Sequence, residues 1–229
     1  DYIDPQFHES ICKTPSINLD TFIMNENQVN WIYNHYNDKD ISIVEGVMGF
    51  YDGDDKGCSA YSVSKLLNIP TVLLLDGSGS YITISAVLKG LKTYKHDNTI
   101  KGVVLNKLSS NMHYTLIKNQ IEKDFDDVEV LGYIGKNLPT LSDTHLGLDL
   151  KNAKEEVLET LCKEVLEHID LPKLITLSSS LQPIKQNENY PFDTITKVPK
   201  KLCIIKDDNF SFLYQDNIEV LKELFEQVI

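Results

Sequence analysis

The chain has 229 residues, 41% of them apolar and 9% aromatic, which is enough for one large domain and a sizeable core. A net charge of −12 argues against a nucleic-acid partner held by general electrostatics. No stretch is apolar for long enough to cross a bilayer, so no membrane partner is expected either.

All 22 basic residues are lysine. Phosphate or carboxylate groups must therefore be met by lysine, hydroxyl or backbone N–H groups, not by a guanidinium fork. The four cysteines, Cys12, Cys58, Cys162 and Cys203, form no CxxC pair. They read as reduced thiols of a cytoplasmic protein.

In chain order, "DYIDP" (1–5) carries Asp1 and Asp4 three residues apart. In an extended or turn conformation both carboxylates can face a substrate; the plainer reading is an acidic tail. Residues 28–37 predict a helix leading into "ISIVE" (41–45), a short apolar run that predicts a buried strand ending on Glu45. "GVMGFYDG" follows, with Gly46, Gly49 and Asp52. Helical patterns at 59–68, 81–94 and 112–124 then alternate with apolar strands at 71–76, 100–106 and, more weakly, 128–134. That alternation predicts βαβ units, hence an α/β fold with a mostly parallel, doubly wound sheet. Residues 151–170 show helical spacing of apolar residues. A Ser/Pro/Asn/Lys-rich stretch reads as a linker opening with a short helical turn, followed by a strand at 202–208 and a helix at 216–229. The expected division is 1–170, a linker at 171–200, and a second unit at 201–229.

Chemistry in an open α/β sheet gathers at the carboxyl ends of its strands. Glu45, Asp76 and Asn106 stand at three such ends. Glu45 suits Mg²⁺, a hard cation that takes a carboxylate oxygen and keeps waters and phosphate oxygens; alternatively it caps the next turn. Asp52 lies in a turn signal with or without function. The "GSGSY" loop after Asp76 can cradle an anion on backbone N–H groups. It is not GxxxxGK[ST], which occurs nowhere in the chain. Asn106 carries an amide donor and acceptor suited to reading a base. The six histidines are scattered without a metal-binding pair, and no Ser/His/Asp or Cys/His arrangement can be argued.

Taken in order, "DYIDPQFH", "NLD", "IVEGVMGFYDG", "IPTVLLLD", "IKGVVLNKLSSNMHYTLIKNQIE", "VLGYIGKN", "HLGL" and "LCIIKDDNFSFLYQDNIEVLKELF" resemble the cobyrinic acid a,c-diamide synthases along nearly the whole chain. That resemblance implies an ATP-binding domain of the P-loop NTPase and dethiobiotin synthetase type, followed by a class I glutaminase domain. It implies amidation of the a and c acetate carboxylates of a corrinoid, cobyrinic acid, with Mg²⁺, ATP and glutamine, through an acyl phosphate. It also implies roles by position: Glu45 binds metal, Asp1 and Asp4 are catalytic aspartates of the substrate and metal loop, Asp52 stands near the metal or the reacting carboxylate, Asn106 reads adenine, and Tyr2 touches substrate. His145 matches a histidine without an assignable role.

Departures accompany the match. The family's P-loop precedes "DYIDP" and is not among these residues, nor are a glutaminase nucleophile, oxyanion loop or triad histidine. Thr144 and Lys107 stand where arginine is expected. The chain is therefore expected to be a fragment, with a sheet incomplete at its N-terminus, a truncated glutaminase-like unit, no activity alone and an aggregation-prone edge. Amidation of a nickel sirohydrochlorin is an alternative substrate reading. A non-catalytic nucleotide-binding protein of the same fold is an alternative of another class. A homodimer is left open by the sequence.

Overall fold

A computed structural model describes every residue except 1–2, 142, 145–146, 149–154, 186–188, 208–209 and 211, with the backbone alone for 143–144 and 147–148. The chain opens with helix α1 (Asp4–Cys12), which carries Pro5 in its first turn, where a missing N–H costs nothing. The expected extended or turn conformation of the opening segment is corrected here: Asp4 begins a helix. Helix α2 (Glu26–Tyr36) starts on a capping box, in which the Asn25 side chain accepts from Gln28 N–H and the Gln28 side chain accepts from Asn25 N–H. Helix α3 (Ala60–Leu67) is capped by the Ser59 hydroxyl.

The main sheet follows: β1 (Thr71–Asp76), α4 (Ile82–Tyr94), β2 (Ile100–Leu108), α5 (Asn111–Asp124) and β3 (Glu129–Gly135), with strand order β1-β2-β3, all parallel. This is the expected βαβ alternation, and β1 has the expected bounds. Side chains alternate between the two faces. Leu73, Leu75, Val103, Leu105, Val130 and Tyr133 face α4 and α5, packing on Ile84, Leu88, Ile117 and Ile121. Val104 and Leu131 face the other way, toward Leu177. Leu177 lies on α7 (Leu171–Ser178), which follows β4 (Asp143–Thr144), β5 (Gly147–Leu148) and α6 (Glu155–His168). Thus both faces carry helices, as a doubly wound sheet requires. α7 is capped by Asp170 and falls within the Ser/Pro-rich stretch expected to be a linker.

The mid-strand Gly132 has a local cause. Its φ is +144°, and a Cβ there would strike the carbonyl oxygen of His168. The absent side chain lets the end of α6 lie along the edge of β3, where Gly132 bridges Ile169 and Asp170 N–H donates to Leu131 C=O at 2.8 Å. That edge is thereby covered.

The expected strand at 41–45 does not form. Residues 41–49 are exposed and carry no strand assignment, with Ile43 90% exposed. An apolar run becomes a strand only when its backbone groups find a ladder, and none is beside it among the described residues. On the sheet, Leu74 in the middle of β1 is 65% exposed, on the same face as Val104 but outside the cluster around Leu177.

The C-terminal unit also differs from expectation. Its first strand, β6 (Val198–Leu202), begins earlier than 202, and its helix α8 (Gln215–Leu224) stops short of 229. The final residues form β7 (Phe225–Val228), parallel to β6 with Val198 opposite Phe225 and Leu202 opposite Val228. Pairing with β6 gives these residues ladder hydrogen bonds in place of intrahelical ones.

Burial sets the expected energetics. Leu105 is 0% exposed at the centre of the sheet. Leu105→Ala should lose about 3 kcal/mol in urea unfolding, whereas Leu74→Ala should change stability by less than about 1 kcal/mol. Equal losses at the two positions would contradict this packing.

Candidate functional site

The β1–β2 register sets Asp76 beside Asn106 at the carboxyl edge of the sheet. Beyond them Gly77 N–H donates to Asn106 C=O at 2.9 Å, so the 77–80 loop starts against β2. Asp76 organises that loop. Its Oδ1 accepts from Ser78 N–H at 2.9 Å and from Ser78 Oγ at 2.6 Å, and its Oδ2 accepts from Lys107 Nζ at 2.8 Å. The lysine, then the two serine bonds, hold the Asp76 carboxyl well below the usual carboxylate range. Lys107 reaches this position with φ of 58°, a left-handed conformation that costs a non-glycine residue about 1 kcal/mol. Local strain of this kind gathers at functional sites.

Asn106 Oδ1 accepts from Lys107 N–H at 2.8 Å, while its Nδ2 has no hydrogen-bond partner among the described residues. The amide thus keeps a donor pair at the edge of the crevice. His113 ties the loop to α5. Its Nε2 lies 2.5 Å from Ser80 C=O, which can only accept, so the ring proton sits there and Nδ1 accepts from Ser109 Oγ at 3.3 Å. The helix that follows the loop, α4, has no side-chain cap at its N-terminus. Ile84 N–H donates to Tyr81 C=O at 3.2 Å, which leaves the N–H groups of Ile82 and Thr83 to meet an anion.

Glu45 lies in a second cluster. Its Oε2 is 3.3 Å from His8 Nε2, one turn along α1 from Asp4. Residues four apart share a helix face, so the structure brings the opening aspartate's helix to Glu45. Asp52 closes the intervening motif: its Oδ2 accepts from Gly49 N–H at 2.9 Å, and Asp52 N–H donates to Gly49 C=O at 2.9 Å. A Cβ on Gly49 would stand 2.6 Å from that carboxylate oxygen, which explains the glycine. The aromatic half of the motif anchors it, through Phe50 C=O accepting from Tyr61 N–H at 2.9 Å and Tyr51 OH donating to Leu91 C=O at 2.7 Å. Among the described residues no hydrogen bond or ion pair joins Glu45 or Asp52 to Asp76 or Asn106. Asp1, Tyr2 and His145 lie outside the described residues.

No group of three or more His, Cys, Asp or Glu side chains that could hold a metal occurs among the described residues. Glu45 is exposed, and Asp52 is engaged with Gly49 through Oδ2. No helix is long and apolar enough to cross a membrane among the described residues.

A cavity of about 260 Å³ lies at the opposite, amino edge of the sheet, lined in part by Lys101, Asp127, Glu129 and Lys173. Part of its charge is already engaged: Lys173 pairs with Glu129 and Lys92 with Asp127, each at 2.6 Å. The carboxyl edge is the better candidate.

Two features escaped the sequence reading. His8 was one of six scattered histidines, and its i,i+4 relation to Asp4 becomes legible only once Asp-Pro is read as a helix start. The Asp76–Lys107 pair joins residues on neighbouring strands, which only the β1–β2 register brings together.

A family described as "AAA domain" matches residues 12–144, more than half of the chain. The chain belongs to the AAA domain family. It is also 39% identical over 238 residues to the cobyrinate a,c-diamide synthase of Streptococcus sanguinis, covering 100% of this chain and 52% of that protein. The synthase of that name from Saccharolobus solfataricus is 37% identical, covering 99% and 52%, and that of Fusobacterium nucleatum 39%, covering 97% and 53%. The resemblance read from the motifs therefore stands. The chain spans about half the length of these relatives. No solved structure matches.

Because Gly49 N–H donates to the Asp52 carboxylate and a Cβ on Gly49 would strike that same carboxylate, their substitutions should not add. Gly49→Ala and Asp52→Ala should each destabilise by about 1 kcal/mol, and the double variant by little more than either alone. Full additivity in thermal unfolding would show that the 49–52 turn is not held by this carboxylate.

Proposed function

We propose that the chain is the ATP-binding part of a ligase that amidates carboxylates of cobyrinate, with glutamine as nitrogen donor. The observation that carries this reading is the similarity to cobyrinate a,c-diamide synthases along 97–100% of the chain. In this reading residues 1–170 form the synthetase domain and 201–229 open a glutaminase domain, joined through 171–200.

A carboxylate is a poor electrophile, so its oxygen is first converted into a leaving group. A substrate carboxylate oxygen attacks the γ-phosphorus of ATP and ADP departs. Ammonia then adds to the acyl carbon, the C–O bond to phosphate breaks, and loss of a proton leaves the amide. Asn106 holds the base through its amide. The 77–80 loop and the uncapped start of α4 supply N–H groups to phosphate oxygens, with Lys107 as the nearby cation. Glu45 would hold Mg²⁺, which when bound offsets repulsion between triphosphate and carboxylate. His8 orients Glu45 through Nε2, 3.3 Å from its carboxylate. Asp4 and Asp1 serve the reacting carboxylate from the start of the chain, with Tyr2 against the macrocycle. Asp52 shapes the turn that presents Glu45.

The test uses the polypeptide extended to the length of its relatives, given Mg-ATP, glutamine and cobyrinate, with the macrocycle followed by mass spectrometry. Two successive amidations are expected. Glu45→Ala should lower kcat/KM by at least roughly 100-fold, about 2.7 kcal/mol. Asn106→Ala should raise KM for ATP by about tenfold with kcat little changed. ATP binding without amidation of cobyrinate, or of a nickel sirohydrochlorin offered in its place, would overturn the ligase reading.

A further inference from the structure

Apart from the sheet's carboxyl edge, the α2 side of the molecule gathers a second set of side chains that the proposed chemistry does not use. Tyr36 OH, at the end of α2, donates to Glu219 Oε2 on α8 at 2.7 Å. His35 Nε2 lies 3.6 Å from the same oxygen, and Gln215 Nε2 donates to Glu219 Oε1 at 3.1 Å. Trp31, the chain's one tryptophan, stacks on His35 with ring centres 4.4 Å apart. Tyr190 and Phe192 meet Trp31 edge-on at 5.2 and 5.6 Å. The segment leading to them is strapped down as well: Asn68 Nδ2 donates to Gln182 C=O at 2.8 Å, and Ile184 N–H donates to Leu67 C=O at 3.2 Å.

The chemistry of the cluster favours a latch. Burial, then the bond to Glu219, push the Tyr36 hydroxyl far above its ordinary range, so it stays a neutral donor. Burial alone would raise the Glu219 carboxyl, but the bonds from Tyr36 and Gln215 and the His35 pair outweigh it and keep Glu219 ionised. The result is one carboxylate held by donors from two parts of the chain far apart in sequence. Aromatic stacking beside it adds rigidity without strong dependence on salt.

We propose that Tyr36, His35 and Trp31 form a latch that seats the β6–α8–β7 unit on the sheet unit and so aligns a nitrogen-producing unit with the amidation site. The alignment role rests on the function proposed above. Ammonia released at one site reaches another before solvent only if the two sites keep a fixed relation. Tyr36 and Glu219 are therefore positioning residues, remote from the reacting atoms.

The experiment compares Tyr36→Phe and Glu219→Ala in the polypeptide extended to the length of its relatives, with glutamine or ammonium chloride as nitrogen source. Glutamine-driven amidation should fall about tenfold in both variants while ammonium-driven amidation is unchanged. Glutamate released per amide formed should rise above the unsubstituted ratio. Glu219→Gln, which keeps an acceptor for Tyr36, should recover part of the loss. Parallel loss with both nitrogen sources, or no loss with either, would overturn the alignment role. Trp31 emission gives a readout independent of activity. It should shift to the red in Tyr36→Phe and Glu219→Ala, and residues 182–200 should become more open to protease. Unchanged emission and cleavage would overturn the latch itself. Failure of the unsubstituted protein to amidate with either source would instead overturn the functional reading and the alignment role that rests on it.

Discussion

A parallel ladder carries the carboxyl ends of its strands to one edge, and everything proposed for this protein depends on that edge. The β1–β2 register places Asp76 opposite Asn106. From that single relation follow the Lys107–Asp76 pair, the serine-rich turn beyond Asp76, and the loop's attachment to α5 through His113. A slip of one residue would send every alternating side chain to the other face, and the apolar core would oppose it. Leu105 and Val103 hold the register from one face and Val104 from the other. The core therefore fixes the site without touching it.

The polar groups divide into two clusters with different work. At the strand ends, Asp76, Asn106 and Lys107 are hydrogen-bonded to one another and to the loop that follows β1. At the surface, Glu45 hangs on an exposed segment, held by His8 from one side and by the Asp52–Gly49 turn from the other. The third polar cluster, around Glu219, joins parts of the chain and belongs to assembly rather than chemistry.

Much of this was legible in the sequence, for physical reasons that differ by element. "TVLLLD" reads as β1 because a short continuous apolar run suits a strand of a parallel sheet, and the strand has the expected bounds although Leu74 lies exposed. "ISIVE" has the same character yet lies exposed, because composition cannot supply the neighbouring strand that a ladder needs. β6 begins at Val198 behind Pro199, Lys200 and Lys201, residues that mark an edge strand and hide it from a search for apolar runs. β7 was masked because "LFEQVI" continues the helical spacing of α8. Of the site residues, Glu45, Asp52 and Asn106 were visible by type and position. Their partners were not, since His8, Lys107 and Gly49 acquire meaning only through contacts.

Hydrogen–deuterium exchange with and without Mg-ATP, in the polypeptide extended to the length of its relatives, tests the central claim most directly. The account predicts slowed exchange of the amides at 77–84 and 106–110, at the carboxyl edge of the sheet. Unchanged exchange there, with protection instead around Lys101, Asp127 and Glu129 at the amino edge, would contradict it.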